Sequence, residues 1–342
     1  MMIEAHTFDA WTRPDVRTTA AFRNVTILGG FAAPLFLWLA GVGVVMAATN
    51  AARRSGHRAS GVDAGCRRGL EIFILAFLFR LQGLIVSPGG HLVTLFRVDI
   101  LNIMGPAMVV AALVWGITTH PAPRVVFYAA LAVATTMLTP IVRLSPLVGK
   151  LPTFLQWYVR PFGDLTMFAV FPWAGFVFAG AACGVLIVAA HDERVERRLH
   201  WWLAIGGLAI FFTGQYTASL PSIYRQSSFW TTSPTYFAIR TGLLMTTVSA
   251  LYGLARMLEP RGILLHPLAR FGRDSLFVYW IHVELVYGYA TWPLRQRLPI
   301  VGSFIACVLF TALIYAAVVA KGRYMDRRRA RSGRREAAPA TA

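Results

Sequence analysis

The chain begins M-M-I-E-A-H-T-F-D-A-W over residues 1–11 and, after a short link, continues F-A-A-P-L-F-L-W-L-A-G-V-G over residues 31–43. The first stretch places a histidine and an aspartate, His6 and Asp9, at the edge of an apolar segment. The second stretch opens an apolar helix of about 20 residues, the length that crosses the hydrocarbon of a bilayer. Together they predict a membrane protein that carries polar, reactive groups at the end of a helix.

The composition excludes an ordinary soluble domain. The 342 residues are 56% hydrophobic and only 14% charged, and the mean hydropathy is +0.57. The formal charge of +18 raises the possibility of nucleic-acid binding, but the arginines lie mainly between apolar stretches, as in the cytoplasmic loops of membrane proteins. We therefore expect a lipid bilayer and no nucleic acid as partner. The three scattered cysteines, Cys66, Cys183 and Cys307, predict neither a disulfide framework nor a zinc site.

Apolar windows predict an all-α integral membrane protein with nine complete spans and a short N-terminal helix. We treat residues 1–320 as a single transmembrane domain and residues 321–342 as a basic, disordered tail. The predicted spans cover residues 27–49, 69–86, 100–117, 125–140, 165–190, 201–217, 237–257, 275–292 and 300–320.

The basic residues predict the orientation of these spans. If the arginine-rich loop 53–68 lies in the cytoplasm and the sides alternate, every long basic cluster falls on that side. This scheme puts the tail in the cytoplasm and the aromatic segment 224–236 outside. It indicates a multi-pass protein of the cell membrane, which the family resemblance described next narrows to a bacterial inner membrane, and the sequence does not indicate an oligomeric state.

Several segments resemble the polytopic membrane acyltransferases. Beside the opening stretches these are P-W-A-G-F at 172–176, which starts a glycine-rich helix, and G-R-D-S-L-F-V-Y-W-I-H at 272–282. The resemblance is closest to the catalytic region of the heparan-α-glucosaminide N-acetyltransferase family, which is related in pattern to acyltransferase family 3. It implies transfer from acyl-CoA, chiefly acetyl-CoA, to a glycan or amino sugar without a metal. In that family the first helix carries an acidic residue and an Arg-Gly pair before its histidine, so we expect the upstream half of this helix to be absent here.

His6 is the first candidate catalytic residue, because its position matches the histidine that ends the first helix in such acyltransferases. An imidazole can act as general base toward a hydroxyl or amine, or can itself accept the acyl group. Glu4 and Asp9 flank it, and Asp9 shares its face if the helix continues. The alternative is an ordinary histidine at the membrane interface.

Arg80 lies within a predicted span, where charged residues usually face a cavity or a partner. The next span starts L-F-R-V-D-I-L-N-I-M-G-P-A over residues 95–107, and Asp99 and Asn102 share one face of it. By the resemblance this segment lines the active cavity, which makes Asp99 a second catalytic candidate and Arg80 and Asn102 substrate-binding candidates. The alternatives are an Arg80 that reaches the interface, or an Asp99 paired structurally with Arg97 or Arg80.

Three further residues are predicted to bind substrate. Asp164 lies at the outer mouth of the glycine-rich helix, Arg240 follows the aromatic outer segment, and His282 lies deep in a span. The aromatic residues of that outer segment suit an interfacial belt as well as a sugar, and His282 also suits a hydrogen-bonded packing role. The co-substrate acyl-CoA is assigned to Arg270 and Arg273, whose positive charges match its phosphates.

The runner-up interpretation is a transporter or flippase that uses the same polar residues. Transporters often contain inverted repeats, and the sequence shows no convincing repeat. We therefore favour the acyltransferase.

Overall fold

The structure is a computed structural model that describes residues 1–86, 91–259 and 266–336. In these ranges all the regular elements are helices, and the only β-type pairing consists of two isolated bridges. The predicted all-α class is therefore confirmed. The chain forms two compact units. A terminal unit contains Met1–Gly30 and Leu258–Ala342, and a central unit contains Phe31–Ile85 and Gly89–Met257.

The α-helices are numbered in chain order, and short 3₁₀ turns lie between several of them. They are α1 (Met2–Trp11), α2 (Ala20–Gly29), α3 (Ala32–Ser55), α4 (Arg58–Val86), α5 (Ile100–Ile117), α6 (Pro121–Met137), α7 (Thr139–Leu144), α8 (Thr153–Val159), α9 (Val170–Ala189), α10 (Glu193–Ala218), α11 (Pro234–Leu258), α12 (His266–Arg273), α13 (Ser275–Tyr287) and α14 (Ile300–Glu336).

In the terminal unit, α1 packs against α2, α13 and α14. Trp11 is buried among Val286, Phe310 and Ile314, and its indole Nε1 donates a hydrogen bond of 3.3 Å to the carbonyl of Val286. Burying a side chain of this size contributes roughly 1.5–3 kcal/mol, and the polar nitrogen is satisfied at the same time. This contact fixes α1 against α13, and so determines which residues face His6.

Six helical segments of the described chain are long and apolar enough to cross a membrane: Ala20–Ser55, Arg58–Val86, Ile100–Ile117, Val170–Ala189, Pro234–Leu258 and Ile300–Arg328. The chain is therefore a helical membrane protein, while the count of nine complete spans is not confirmed. The other three predicted spans coincide with helices that are shorter or begin with charged residues. α6 has 17 residues, α13 has 13, and α10 starts with the charged run E-R-V-E-R-R.

Three boundaries differ from the prediction for local reasons. The basic segment 53–68, predicted as a loop, is helical on both sides of a short break, because Gly56 adopts φ 74° and ends α3. α13 ends at Tyr287 instead of 292, where Gly288 becomes extended. α14 continues past residue 320 to Glu336, into the predicted tail, where arginine and alanine favour helix. Residues 337–342 of the tail lie outside the described ranges.

Glycine allows two helices of the central unit to cross with their backbones in contact. A Cβ atom built on Gly180 of α9 would lie 1.9 Å from the carbonyl oxygen of Trp38 on α3, and one on Gly41 would lie 1.9 Å from that of Val177. Only glycine fits at such a crossing, which is the arrangement used by small residues in membrane helices. The glycine-rich sequence of α9 thus serves its packing on α3.

We predict that Gly180→Ala destabilises the protein, because the methyl group forces α3 and α9 apart. The cost should reach or exceed the roughly 1–3 kcal/mol typical of overpacking, and it should appear as a lower thermal midpoint in detergent. Gly43→Ala is the matched control on α3, since its Cβ would meet no atom within 4 Å. Equal midpoints for the two variants would contradict the crossing.

Candidate active site

His6 on α1 contacts a second histidine, His282 on α13. The Nδ1 atom of His6 lies 2.9 Å from Nε2 of His282, and the two ring planes are inclined by only 22°, with their centroids 5.1 Å apart. The residues are 276 positions apart in the chain. The packing of α1 on α13 thus brings together a residue predicted to be catalytic and one predicted to bind substrate.

His282 is completely buried. Its second ring nitrogen, Nδ1, lies 2.6 Å from the carbonyl oxygen of Val278, one helical turn earlier on α13. Both nitrogens of this imidazole therefore have partners inside the terminal unit. This arrangement agrees with the alternative in which His282 is a hydrogen-bonded packing residue. One of its two partners is His6, the catalytic candidate.

Tyr287, at the end of α13, also contacts His6. Its ring packs edge-on against the His6 ring, with centroids 5.7 Å apart, and its hydroxyl donates a 2.7 Å hydrogen bond to Oδ2 of Asp9. Asp9 is thus connected to His6 through Tyr287. We call His6, His282, Tyr287 and Asp9 the His6 cluster, and nothing in the sequence pattern singled out Tyr287.

Arg80 and Asp99 form an ion pair within the central unit. The side chain of Arg80 is 19% exposed and that of Asp99 13%, so both charges are largely withdrawn from solvent. This is the alternative in which Asp99 forms a structural ion pair with Arg80. Asp99 lies in the central unit and His6 in the terminal unit, and the proposed catalytic role of Asp99 stays a prediction.

Asp99 also begins α5 as its N-cap. Its Oδ1 accepts a 2.7 Å hydrogen bond from the backbone N–H of Ile100, and Oδ1 of Asn102 accepts one of 3.0 Å from the backbone N–H of Asp99. This reciprocal cap satisfies backbone donors that a helix start leaves open. One carboxylate thus pairs a cation and starts a helix.

Tyr158 on α8 joins this group through a side-chain hydrogen bond with Asn102. Burial raises the pKa of the Tyr158 hydroxyl, and the hydrogen bond with Asn102 opposes part of the shift. The hydroxyl therefore stays protonated at neutral pH and can donate a hydrogen bond. We call Arg80, Asp99, Asn102 and Tyr158 the Arg80 cluster; Tyr158 was missed because its neighbours lie far away in the sequence.

Arg240 on α11 is buried, with 5% of its surface exposed. Its guanidinium carbon lies 3.7 Å from the centroid of the Phe31 ring and 5.0 Å from that of Tyr236. Among the described residues it forms no ion pair, and its NH1 atom has no hydrogen-bond partner. The two aromatic faces partly compensate the charge, and one donor remains for a bound group.

The last three predicted residues lie apart from these clusters. Asp164 is exposed, and the neighbouring Arg160 donates a 2.6 Å hydrogen bond to Gln156. Arg270 is half-buried and Arg273 exposed on α12. Asp274, the N-cap residue of α13, makes no side-chain cap hydrogen bond, and its carboxylate pairs with Lys321 on α14.

Two arginines give α12 its positive charge. Arg270 and Arg273 are both cations, and the adjacent Asp274 is paired with Lys321. Guanidinium groups suit phosphates because their geometry allows paired hydrogen bonds. Among the described residues, no group of three histidine, cysteine or acidic side chains is placed to hold a metal.

A family model described as heparan-α-glucosaminide N-acetyltransferase, catalytic, matches residues 1–224. The match includes His6 and the whole Arg80 cluster, and it ends before Arg240, the α12 arginines and His282. No curated protein matches the chain.

The Arg80–Asp99 pair predicts a large stability effect. Asp99→Asn should cost more than about 1 kcal/mol and approach the roughly 3–5 kcal/mol of a fully buried pair, because it leaves a largely buried cation without its partner. Asp63→Asn removes an exposed pair with Arg67, whose side chains are 71% and 68% exposed, and should cost at most about 1 kcal/mol. Thermal unfolding in detergent measures both, and comparable losses would show that Arg80 does not depend on Asp99.

Proposed function

The chain belongs to the heparan-α-glucosaminide N-acetyltransferase family, and from this membership we propose that it is a membrane-embedded acyltransferase. It moves an acetyl or other acyl group from acyl-CoA in the cytoplasm to a glycan or amino sugar on the opposite side of the membrane. The observation that carries the proposal is His6, which lies within the family match and is held by a second imidazole at 2.9 Å.

His6 is the group proposed to act on the acceptor. As general base its imidazole removes the proton of the attacking amine or hydroxyl while the new bond to the thioester carbonyl carbon forms. The carbon–sulfur bond then breaks, and the proton passes to the departing thiolate to give free CoA. If the imidazole instead accepts the acyl group, the same ring nitrogen forms the bond and the acceptor displaces it.

The donor is proposed to bind through the α12 arginines. Arg270 and Arg273 offer positive charge to the CoA phosphates, and their segment falls on the cytoplasmic side in the positive-inside assignment. No metal takes part in this scheme. The thioester is the only activated group that the transfer needs.

The acceptor is proposed to contact Arg80, Asn102, Asp164 and Arg240; His282, also predicted to bind substrate, is fully buried with both ring nitrogens occupied and is not proposed as a contact. Arg240 is the strongest of these candidates, because its unsatisfied NH1 is a donor for a sugar oxygen or a carboxylate. Asp99 acts through Arg80, whose guanidinium it holds. Loss of activity in Asp99→Asn would therefore have to be corrected for the loss of folded protein.

We predict that His6→Ala abolishes acyl transfer by the full chain purified into lipid nanodiscs. With radiolabelled acetyl-CoA and glucosamine, the rate should fall by at least about 10²-fold, the scale of general-base catalysis. His120→Ala is the matched control, since His120 is exposed, and it should retain the wild-type rate.

Full activity of His6→Ala would eliminate His6 as the transferring residue. A wild-type protein that moves glucosamine across the membrane of a sealed vesicle without acylating it would replace the acyltransferase by the transporter alternative.

The proposed topology has nine spans across an inner membrane. The arginine-rich segment 53–68 and the C-terminus lie in the cytoplasm, and the aromatic segment 224–236 lies outside. Ser55 and Ser228 are exposed in their segments, and they serve as labelling positions.

A membrane-impermeant maleimide applied to intact cells should label Ser228→Cys and not Ser55→Cys, in a background with the three native cysteines replaced by alanine. Ser55→Cys should react only after lysis. The reverse pattern would invert the orientation, and labelling of both positions in intact cells would place them on one side.

A further inference from the structure

The hydrogen bonds of His282 identify which of its nitrogens carries a proton. Nδ1 lies 2.6 Å from the backbone carbonyl oxygen of Val278, and a carbonyl oxygen can only accept a hydrogen bond. Nδ1 of His282 is therefore the protonated nitrogen. In the neutral ring the other nitrogen, Nε2, then carries the lone pair and can only accept.

The neutral form is the one that suits this position. His282 has no exposed surface, and Val278 and Val286 on its own helix belong to the apolar core of the terminal unit. A fully buried imidazole loses the hydration that its charged form requires. Nε2 of His282 is therefore an acceptor.

This acceptor faces His6. Nε2 of His282 lies 2.9 Å from Nδ1 of His6, so the bond between them requires the proton to be on Nδ1 of His6. The remaining nitrogen of the neutral His6 ring, Nε2, then has the lone pair. In free histidine the opposite tautomer, with the proton on Nε2, predominates, so the neighbour determines the state of His6.

We propose that His282 is a positioning residue that holds His6 in the tautomer whose Nε2 is the basic nitrogen. The chain of donors runs from Nδ1 of His6 to Nε2 of His282, and from Nδ1 of His282 to the carbonyl of Val278. The two imidazole planes are inclined by only 22°, as a hydrogen bond in the plane of both rings requires, and the Tyr287 ring packs edge-on against His6.

The assignment specifies which atom takes part in the proposed reaction, and in this respect it rests on the proposed function. Nε2 of His6 takes the proton of the acceptor as the acceptor atom bonds to the thioester carbon, and it later gives that proton to the thiolate. While Nε2 holds the proton, Nδ1 still donates to His282, so the charged ring keeps its hydrogen bond. His282 itself exchanges no proton.

The tautomer can be measured without any activity. In the full chain labelled with ¹⁵N-histidine and reconstituted in lipid, solid-state NMR distinguishes protonated from unprotonated ring nitrogens, and the spectrum of His6→Ala identifies the His6 signals. We expect a protonated Nδ1 and an unprotonated Nε2 for neutral His6. His282→Leu removes the acceptor and should shift His6 toward the opposite tautomer. A wild-type His6 with its proton on Nε2, or an unchanged His6 tautomer in His282→Leu, would overturn the proposal.

A kinetic test separates positioning from simple packing. His282→Leu should lower kcat by about tenfold or more with little change in KM, because the loss affects an interaction used in the transition state. His282→Gln places an amide oxygen near the position of Nε2, so it should recover most of kcat and the tautomer of His6. Equal kcat losses in both variants, with an unaltered His6 tautomer, would reduce His282 to a packing role.

The two experiments fail independently. If the wild-type protein transfers no acyl group, the proposed function fails, and the NMR spectra still decide whether His282 sets the tautomer of His6.

Discussion

A polar side chain between apolar helices must find its partner within the protein, since the bilayer offers none. This constraint accounts for both polar clusters. Arg80 is neutralised by Asp99, which also caps α5, and His282 satisfies one nitrogen through its own helix and the other through His6. In each cluster a residue with a structural task fixes the state of a neighbour that is proposed to do chemistry. Removing one partner therefore changes folding and function together.

Helix positions were predictable where the sequence contains a capping motif that marks the start of a helix. α5 coincides with the predicted span 100–117, because Asp99 and Asn102 form a cap that a short motif encodes. The start of α4 was missed, since a run of arginines indicates a polar segment but does not interrupt a helix. The number of spans is the weakest part of the prediction, because α6 and α13 are apolar but short and length decides whether such a helix can cross.

The individual site residues were easier to predict than their contacts. His6, Arg80, Asp99, Asn102 and His282 are unusual as polar groups near apolar stretches, and this pattern singles them out. The pairing of His6 with His282 joins positions 276 apart in the chain. Hydrophobic periodicity predicts neighbours within one helix and gives no information about such long-range contacts. Tyr158 and Tyr287 escaped for a related reason: tyrosine is common at membrane interfaces, so only the hydrogen bonds to Asn102 and Asp9 distinguish these two.

The family match and the fold divide the chain differently, and this has a consequence for His6. The match covers residues 1–224, which include α1, whereas α13 and α14, against which α1 packs, lie beyond it. The match therefore contains the catalytic candidate, and the later segment supplies two of the helices that hold it in place. Trp11 is buried against Val286 and Phe310, and His6 is hydrogen-bonded to His282. The packing of α1 and the proposed tautomer of His6 therefore both depend on residues outside the match. A protein that shared only the matched region would keep the histidine and lose the partner that we propose makes one of its nitrogens basic.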